Sequence, residues 1–224
     1  MKFTELLTFP NVYENFDPKT EELVLHPDTS VKMKSNWAEG HFKNSNPITL
    51  ELACGRGEYS LALAKRYAER NFIGVDIKGA RIWKGAKNAI DANLDNVAFL
   101  RTKIEFCPLF LGENEIDEIW ITFPDPFLKS SKFNRRLTSP NYLNSYKNFL
   151  KKDGVINLKT DSDELYEHSL EVLNDEKHEI LVQCDDIYSQ TELPHPDLDI
   201  KTYYEYQHLA KAKTIKYLKF RLSY

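Results

Sequence analysis

The chain has 224 residues, 42% of them hydrophobic and 29% charged, with a formal net charge of −4 at pH 7. Those values fit one soluble α/β domain with a sizeable core, and they exclude a disordered or low-complexity chain. No apolar run approaches bilayer length.

The opening "MKFTELLTFPNVYENF" breaks its apolar residues with charges and a proline, unlike a leader peptide, so cytoplasmic residence is expected. Residues 1–47 show no strong periodicity and read as an N-terminal arm, irregular apart from one short helix. From residue 48 strands and helices alternate. "ITLELAC" (48–54) reads as a buried strand, "YSLALAKRYAER" (59–70) as a helix, "NFIGVDI" (71–77) as a strand and "ARIWKGAKNAIDAN" (80–93) as a helix. Strands follow at 97–102 and 118–123, a helix at 140–150, a strand at 154–161 and a helix at 163–174, with final strands at 178–184 and 214–222. The stretch 185–213 is rich in Asp, Pro and Tyr and offers no crossover helix, so the last strand should run antiparallel. The expected fold is therefore α/β and doubly wound: a seven-stranded, mostly parallel sheet with an antiparallel last strand, formed by residues 48–224. Cys54, Cys107 and Cys184 are odd in number and far apart, which argues against disulfides and zinc, and no metal is expected.

In such sheets ligands bind beyond the carboxyl ends of the strands. The first of these strands ends in "ELACGRGEY", where Gly55 and Gly57 permit a tight turn into the next helix. The second ends at Asp76, 21 positions after Gly55, the usual place for an acid that binds ribose hydroxyls. A dinucleotide fingerprint would continue with a third glycine, but Ser60 stands there, and Glu51 would repel a bound phosphate. A cationic nucleoside without phosphate, S-adenosyl-L-methionine, suits these residues better.

The fourth strand ends in Phe123-Pro124-Asp125-Pro126. The two prolines should hold Phe123 and Asp125 extended and fix Asp125 at the rim. Lys129, Lys132, Arg135 and Arg136 follow, and a second basic run, Lys211–Arg221, lies near the end. Screening confines charge attraction to about 8–10 Å, so this local density counts for more than the net negative balance. Asp161 closes the fifth strand at the same rim, where it reads either as a site residue or as a helix N-cap.

These residues resemble the bacterial tRNA (guanine-N7)-methyltransferases across roughly residues 47–222. The resemblance rests on "ELACGRGEY", "GVDIKGARIWKGAKNA", "FPDPFLKSSKFNRRL", "LKTDSDELYEHSLEVL" and "TYYEYQHLAKAKTIKYLKF". It implies methylation of guanosine 46 in the tRNA variable loop, with Glu51 and Asp76 contacting S-adenosyl-L-methionine and Asp125 as the catalytic acid. Lys129, Asp161, Thr202, Tyr203, Tyr204 and Glu205 would face the substrate, and Ser131–Arg136, with Lys132, Arg135 and Arg136, would lie along the RNA. It implies a monomer or homodimer that needs neither membrane nor metal.

Some positions depart from the family pattern. Ala53 replaces its first glycine, which a negative φ would accommodate, and Phe127 replaces a tryptophan. Lys103, beside Thr102 and Glu105, stands where the family has an adenine-contacting Asp, so no adenine contact is assigned. The strip after Lys129 is less basic than usual, which points to weaker or redistributed phosphate contacts. Tyr203, Tyr204 and Tyr206 could stack on bases or pack in the core. Three rivals share parts of this pattern: a methyltransferase for another RNA, a protein or a small molecule; a non-catalytic RNA-binding subunit; and a nicotinamide dehydrogenase. Ser60 and Glu51 count against the last, and the acidic rim counts against the second.

Overall fold

A computed structural model of the chain describes residues 5–224. Ten strands form one sheet: β1 (Val12–Glu14), β2 (Glu22–His26), β3 (Thr29–Lys32), β4 (Ile48–Leu52), β5 (Asn71–Asp76), β6 (Val97–Arg101), β7 (Ile116–Thr122), β8 (Leu150–Thr160), β9 (Glu179–Cys184) and β10 (Lys216–Arg221). The helices are α1 (Glu58–Arg66), α2 (Gly79–Asp91), α3 (Cys107–Phe110), α4 (Pro140–Tyr146), α5 (Asp163–Asp175) and α6 (Tyr203–Leu209). Strand order is β3-β2-β1-β6-β5-β4-β7-β8-β10-β9. From β6 to β8 every pairing is parallel, and β10 runs antiparallel between β8 and β9.

All seven strands expected from residue 48 onward are present, but the sheet is wider than seven. β1 adds in parallel to β6, with Val12 opposite Phe99, and β2 and β3 continue it antiparallel. This corrects the irregular arm expected over 1–47, of which residues 1–4 lie outside the described residues. β1 has only three residues, and Pro10, Pro18 and Pro27 cut up the segment, so no two-residue period could build up. The helical content of that segment includes one turn, Ala38–Phe42. It follows the buried Trp37, whose indole N–H donates to Phe110 O at 2.9 Å.

The central strands are apolar on both faces because both are covered. Alternate residues of β7 enter different cores: Ile119 and Ile121 pack with Leu50, Leu52 and Ile73, while Trp120 packs with Tyr59, Phe99 and Tyr217. β8 starts at Leu150, four residues before the sequence reading placed it, since Lys151-Lys152-Asp153-Gly154 reads as a turn but continues the strand. Within 185–213 the chain makes a short turn at Pro196–Asp199 and then α6. No helix among the described residues is long and apolar enough to cross a membrane.

Strand order reverses between β4 and β7, and the carboxyl ends of these strands therefore open a crevice. Along the rim lie the start of α2 after β5, the glycine loop after β4, the Phe-Pro-Asp-Pro loop after β7 and Asp161 after β8.

Candidate active site

Two cavities occupy this rim. One, of about 390 Å³, is lined by Glu51, Ala53, Gly55, Arg56, Glu58 and Thr122 among others. The second, of about 830 Å³, is lined by Asp125, Asp161, Leu128, His208, Lys78 and Lys213 among others. Arg81, Phe123 and Tyr204 line both and form the wall between them.

The first cavity is organised by carboxylates wired to the main chain. Glu51 is buried in β4, where Ser60 N–H donates to its Oε2 at 2.9 Å, Ser60 Oγ donates to the same atom, and Thr122 Oγ1 donates to Oε1 at 3.1 Å. Burial pushes its carboxyl up to about 7, against the pull of those hydrogen bonds. Asp76 stands one layer behind the cavity lining. It accepts Gly55 N–H at 2.9 Å and Lys78 N–H at 2.7 Å, and so clamps the loop after β4 to the loop after β5. Gly55 and Gly57 have φ of +59° and +64°, and a Cβ on Gly57 would meet Phe99 Cε1 at 2.5 Å. Ala53 also lies in the left-handed region at φ +57°, so the negative φ that would accommodate an alanine there is not the one it adopts. Thr102, Lys103 and Glu105 do not line this cavity.

The Phe-Pro-Asp-Pro loop departs from the extended path that its prolines suggest. Phe123 has φ +48° and Phe127 φ +41°, so the loop turns sharply at both ends. Phe123 N–H still donates to Lys159 O at 2.8 Å, completing the β7–β8 pairing before the turn. Its ring lies 5.6 Å from that of His208 at 20°, stacked on the side of the larger cavity. Asp125 is exposed, and its Oδ1 accepts Phe127 N–H at 3.1 Å.

Arg136 is corrected from an RNA contact to a brace for this loop. It is 1% exposed; Nε donates to Pro126 O at 2.8 Å, Nη2 to Phe127 O at 3.3 Å and Nη1 to Glu164 O at 3.3 Å. Three carbonyls take three of its five donors, and at 1% exposure the guanidinium does not reach a phosphate in solvent. Lys129, Lys132 and Arg135 are exposed, with Arg135 4.9 Å from the Phe127 ring. In the second basic run, Lys213 pairs with Asp161, Lys216 with Asp163 and Arg221 with Glu179, which leaves less free charge than the sequence suggests.

Asp161 is not the helix cap. Ser162 caps α5 by accepting Leu165 N–H, while Asp161 Oδ2 lies 2.5 Å from Lys213 Nζ and 3.2 Å from His208 Nδ1. Glu205 is likewise corrected: it is fully buried and lines neither cavity. Lys159 Nζ donates to its Oε2 at 2.7 Å and Tyr188 OH to its Oε1 at 2.6 Å. Lys159, also fully buried, donates in addition to Leu198 O and Ile200 O, and burial pulls its ammonium below the usual value. The pair thus moors the segment before α6 to β8. Thr202 caps α6 by accepting Glu205 N–H, and Glu58 accepts Tyr203 N–H at 2.8 Å. Tyr203, Tyr204 and Tyr206 are 50%, 44% and 61% exposed, outside the core.

A sheet with a reversed β10 and a nucleoside-sized cavity where strand order turns defines a Rossmann-like methyltransferase fold. The 16S rRNA methyltransferase KamB shares it, with a TM-score of 0.65 over 88% of this chain and 97% of that one at 13% identity. Residues 45–218 match the family model described as "Putative methyltransferase". A tRNA (guanine-N(7)-)-methyltransferase of Christiangramia forsetii is 46% identical over 221 residues, which cover 99% of this chain and 96% of that relative. Its counterpart from Bacteroides fragilis is 41% identical over 226 residues, covering 99% and 84%. The chain belongs to this methyltransferase family.

Proposed function

We propose that the protein transfers the methyl group of S-adenosyl-L-methionine to N7 of a guanine in tRNA, and that the target is guanosine 46 of the variable loop. The observation that carries this reading is the meeting of the two cavities at Phe123, with Asp125 two residues further along the same loop. The tRNA (guanine-N(7)-)-methyltransferases to which the chain is 46% and 41% identical supply the substrate class.

The smaller cavity suits the cofactor. Its volume lies within the range of about 300–1,000 Å³ usual for small-ligand sites, and Glu51, Glu58, Arg56 and Arg81 give it a mixed-charge lining. Such a lining matches an amino acid that carries both signs beside a sulfonium. A cation placed opposite Glu51 favours its ionised form and offsets its burial. Asp76, one layer behind the lining and with both oxygens held by backbone donors, sets the two loops against which the ribose would lie.

When bound, the cofactor supplies an electrophilic methyl on a sulfonium. Guanine N7 carries a lone pair and no proton, so its attack requires no general base. Transfer would form the N7–CH3 bond as the bond from sulfur to methyl breaks, and would leave positive charge on the purine. Asp125, on a loop braced by Arg136, compensates that charge and accepts hydrogen bonds from guanine N1–H and N2–H. Asp161 and Tyr204 contribute the other walls of the base pocket. Lys129, Lys132 and Arg135 hold backbone phosphates. Residues 48–224 carry the catalytic groups, β1–β3 widen the sheet that holds them, and the protein acts on cytoplasmic tRNA.

Purified protein incubated with unmodified tRNA and S-adenosyl-L-methionine, followed by borohydride–aniline cleavage, tests the reading. Strand scission at variable-loop guanosine 46 is expected. Methyl incorporation without scission would place the methyl on another atom and overturn it.

A further inference from the structure

The larger cavity has cations on two flanks, and only one flank is accounted for above. Along the rim, the start of α2 at the end of β5 lies to one side of the Asp125 loop. Asp161 and α5, to which Arg136 ties the 126–136 segment, lie to the other. Lys129, Lys132 and Arg135 belong to that second side.

On the α2 side, Lys78 and Arg81 stand one turn apart and both line the cavity. Neither makes an ion pair among the described residues, whereas Lys213 and Lys216, which line the same cavity, are paired with Asp161 and Asp163 at 2.5 Å. Arg81 is half-buried, and its recorded partner is neutral: Nη2 donates to Tyr204 OH at 3.0 Å, with the guanidinium 5.8 Å from that ring's centroid. A phenol takes one of five donors and compensates no charge. An anion that offered two oxygens would compete for the same guanidinium with both charge and geometry in its favour.

We propose that Arg81 and Lys78 form a second phosphate clamp, which grips the RNA backbone on the side of the target nucleotide away from Lys129–Arg135. Arg81 exchanges the Tyr204 hydroxyl for phosphodiester oxygens as the RNA docks. The proposal rests on RNA being the substrate. A nucleotide whose base reaches Asp125 carries a phosphate on each side of its sugar, and the two clamps hold one each. Arg81 also lines the wall shared with the cofactor cavity, so the clamp fixes the backbone next to the point where the methyl crosses.

Equilibrium binding of unmodified tRNA, followed by fluorescence anisotropy across a potassium chloride series, tests this. Arg81→Ala and Lys78→Ala should each weaken binding several-fold and lower the log–log salt slope by about 0.7–0.9, and the double variant by about twice that. Arg81→Lys should keep the wild-type slope. Lys87→Ala, on the same helix but paired with Asp91 at 2.9 Å, is the control and should match wild type. An unchanged slope in Arg81→Ala and Lys78→Ala would overturn the clamp. So would a loss in Arg81→Ala confined to S-adenosyl-L-homocysteine affinity, which would assign that guanidinium to the cofactor's carboxylate. A wild-type protein with no salt-sensitive tRNA binding would instead overturn the RNA substrate itself.

Discussion

The two cavities are built in opposite ways. Around the smaller one the acids are buried and tied down: Glu51 accepts from Ser60 and Thr122, and Asp76 from two backbone amides. Around the larger one Asp125 is exposed with a single local hydrogen bond, and Lys129, Lys132 and Arg135 stand in solvent. On the proposed reading the first arrangement recognises a small molecule of fixed shape, so its groups are set before binding. On the same reading the second meets a polyanion that brings its own charge, and rigidity there resides in the backbone: Arg136 beneath the loop, and the Lys159–Glu205 pair beneath α6. If this contrast holds, removing a brace should cost stability, and removing an exposed cation should cost RNA affinity alone.

Glu205→Gln is the strongest way to break that contrast. It keeps the shape but strands the Lys159 ammonium in the interior, and the folded state should lose about 3–5 kcal/mol in urea unfolding. A change under about 0.5 kcal/mol would mean that Glu205 is free to serve the substrate. Neighbouring arginines give the next test. Arg136→Ala leaves buried carbonyls without donors and should lower stability by about 1–3 kcal/mol, with the salt dependence of tRNA binding unchanged. Arg135→Ala should do the reverse, with wild-type stability and a shallower salt slope. Matching behaviour in the two variants would erase the distinction between brace and contact.

A subtler test sharpens the cofactor side. Burial holds the Glu51 carboxyl at about 7, so below that pH a proton must leave before the acid can face a cation. Cofactor affinity measured by calorimetry should be flat above pH 7 and fall by up to about tenfold per unit below it. Glu51→Gln should bind weakly at every pH, with a flat profile. The same raised value has the opposite consequence for folding: the protonated carboxyl favours the folded state in acid, and that contribution fades as pH rises from the ordinary carboxyl range through 7. Parallel binding profiles for wild type and variant would remove Glu51 from the cofactor contact.

The same contrast separates what could be read from the sequence from what could not. Glu51, the two glycines and Asp76 belong to one strand–turn–helix–strand unit whose internal contacts, Ser60 to Glu51 and Gly55 to Asp76, are close in sequence, and periodicity with spacing is enough to place them. The strands from 48 onward were legible for the same reason, being apolar on both faces. β1–β3 were not, because three to five residues broken by prolines carry no period. Arg135 and Arg136 look alike in sequence. What distinguishes them is Glu164 O, 28 residues on, and that contact exists only after α5 packs beneath the loop. Glu205 likewise depends on Lys159, 46 residues earlier. The left-handed Phe123 escaped prediction because a proline restricts the preceding residue only statistically, and Phe127, which precedes Leu128, carries no such signal in either direction. Arg81 sits in an ordinary amphipathic helix; nothing in its neighbours signals the shared wall.

Everything at the larger cavity turns on Asp125 carrying negative charge to the point where the purine becomes cationic. Single-turnover methyl transfer by Asp125→Asn, with cofactor and tRNA both saturating, tests that directly. The rate should fall by about 10²–10³-fold or more, while the cofactor Kd moves less than about twofold. A variant that transfers methyl at the wild-type rate would contradict the account.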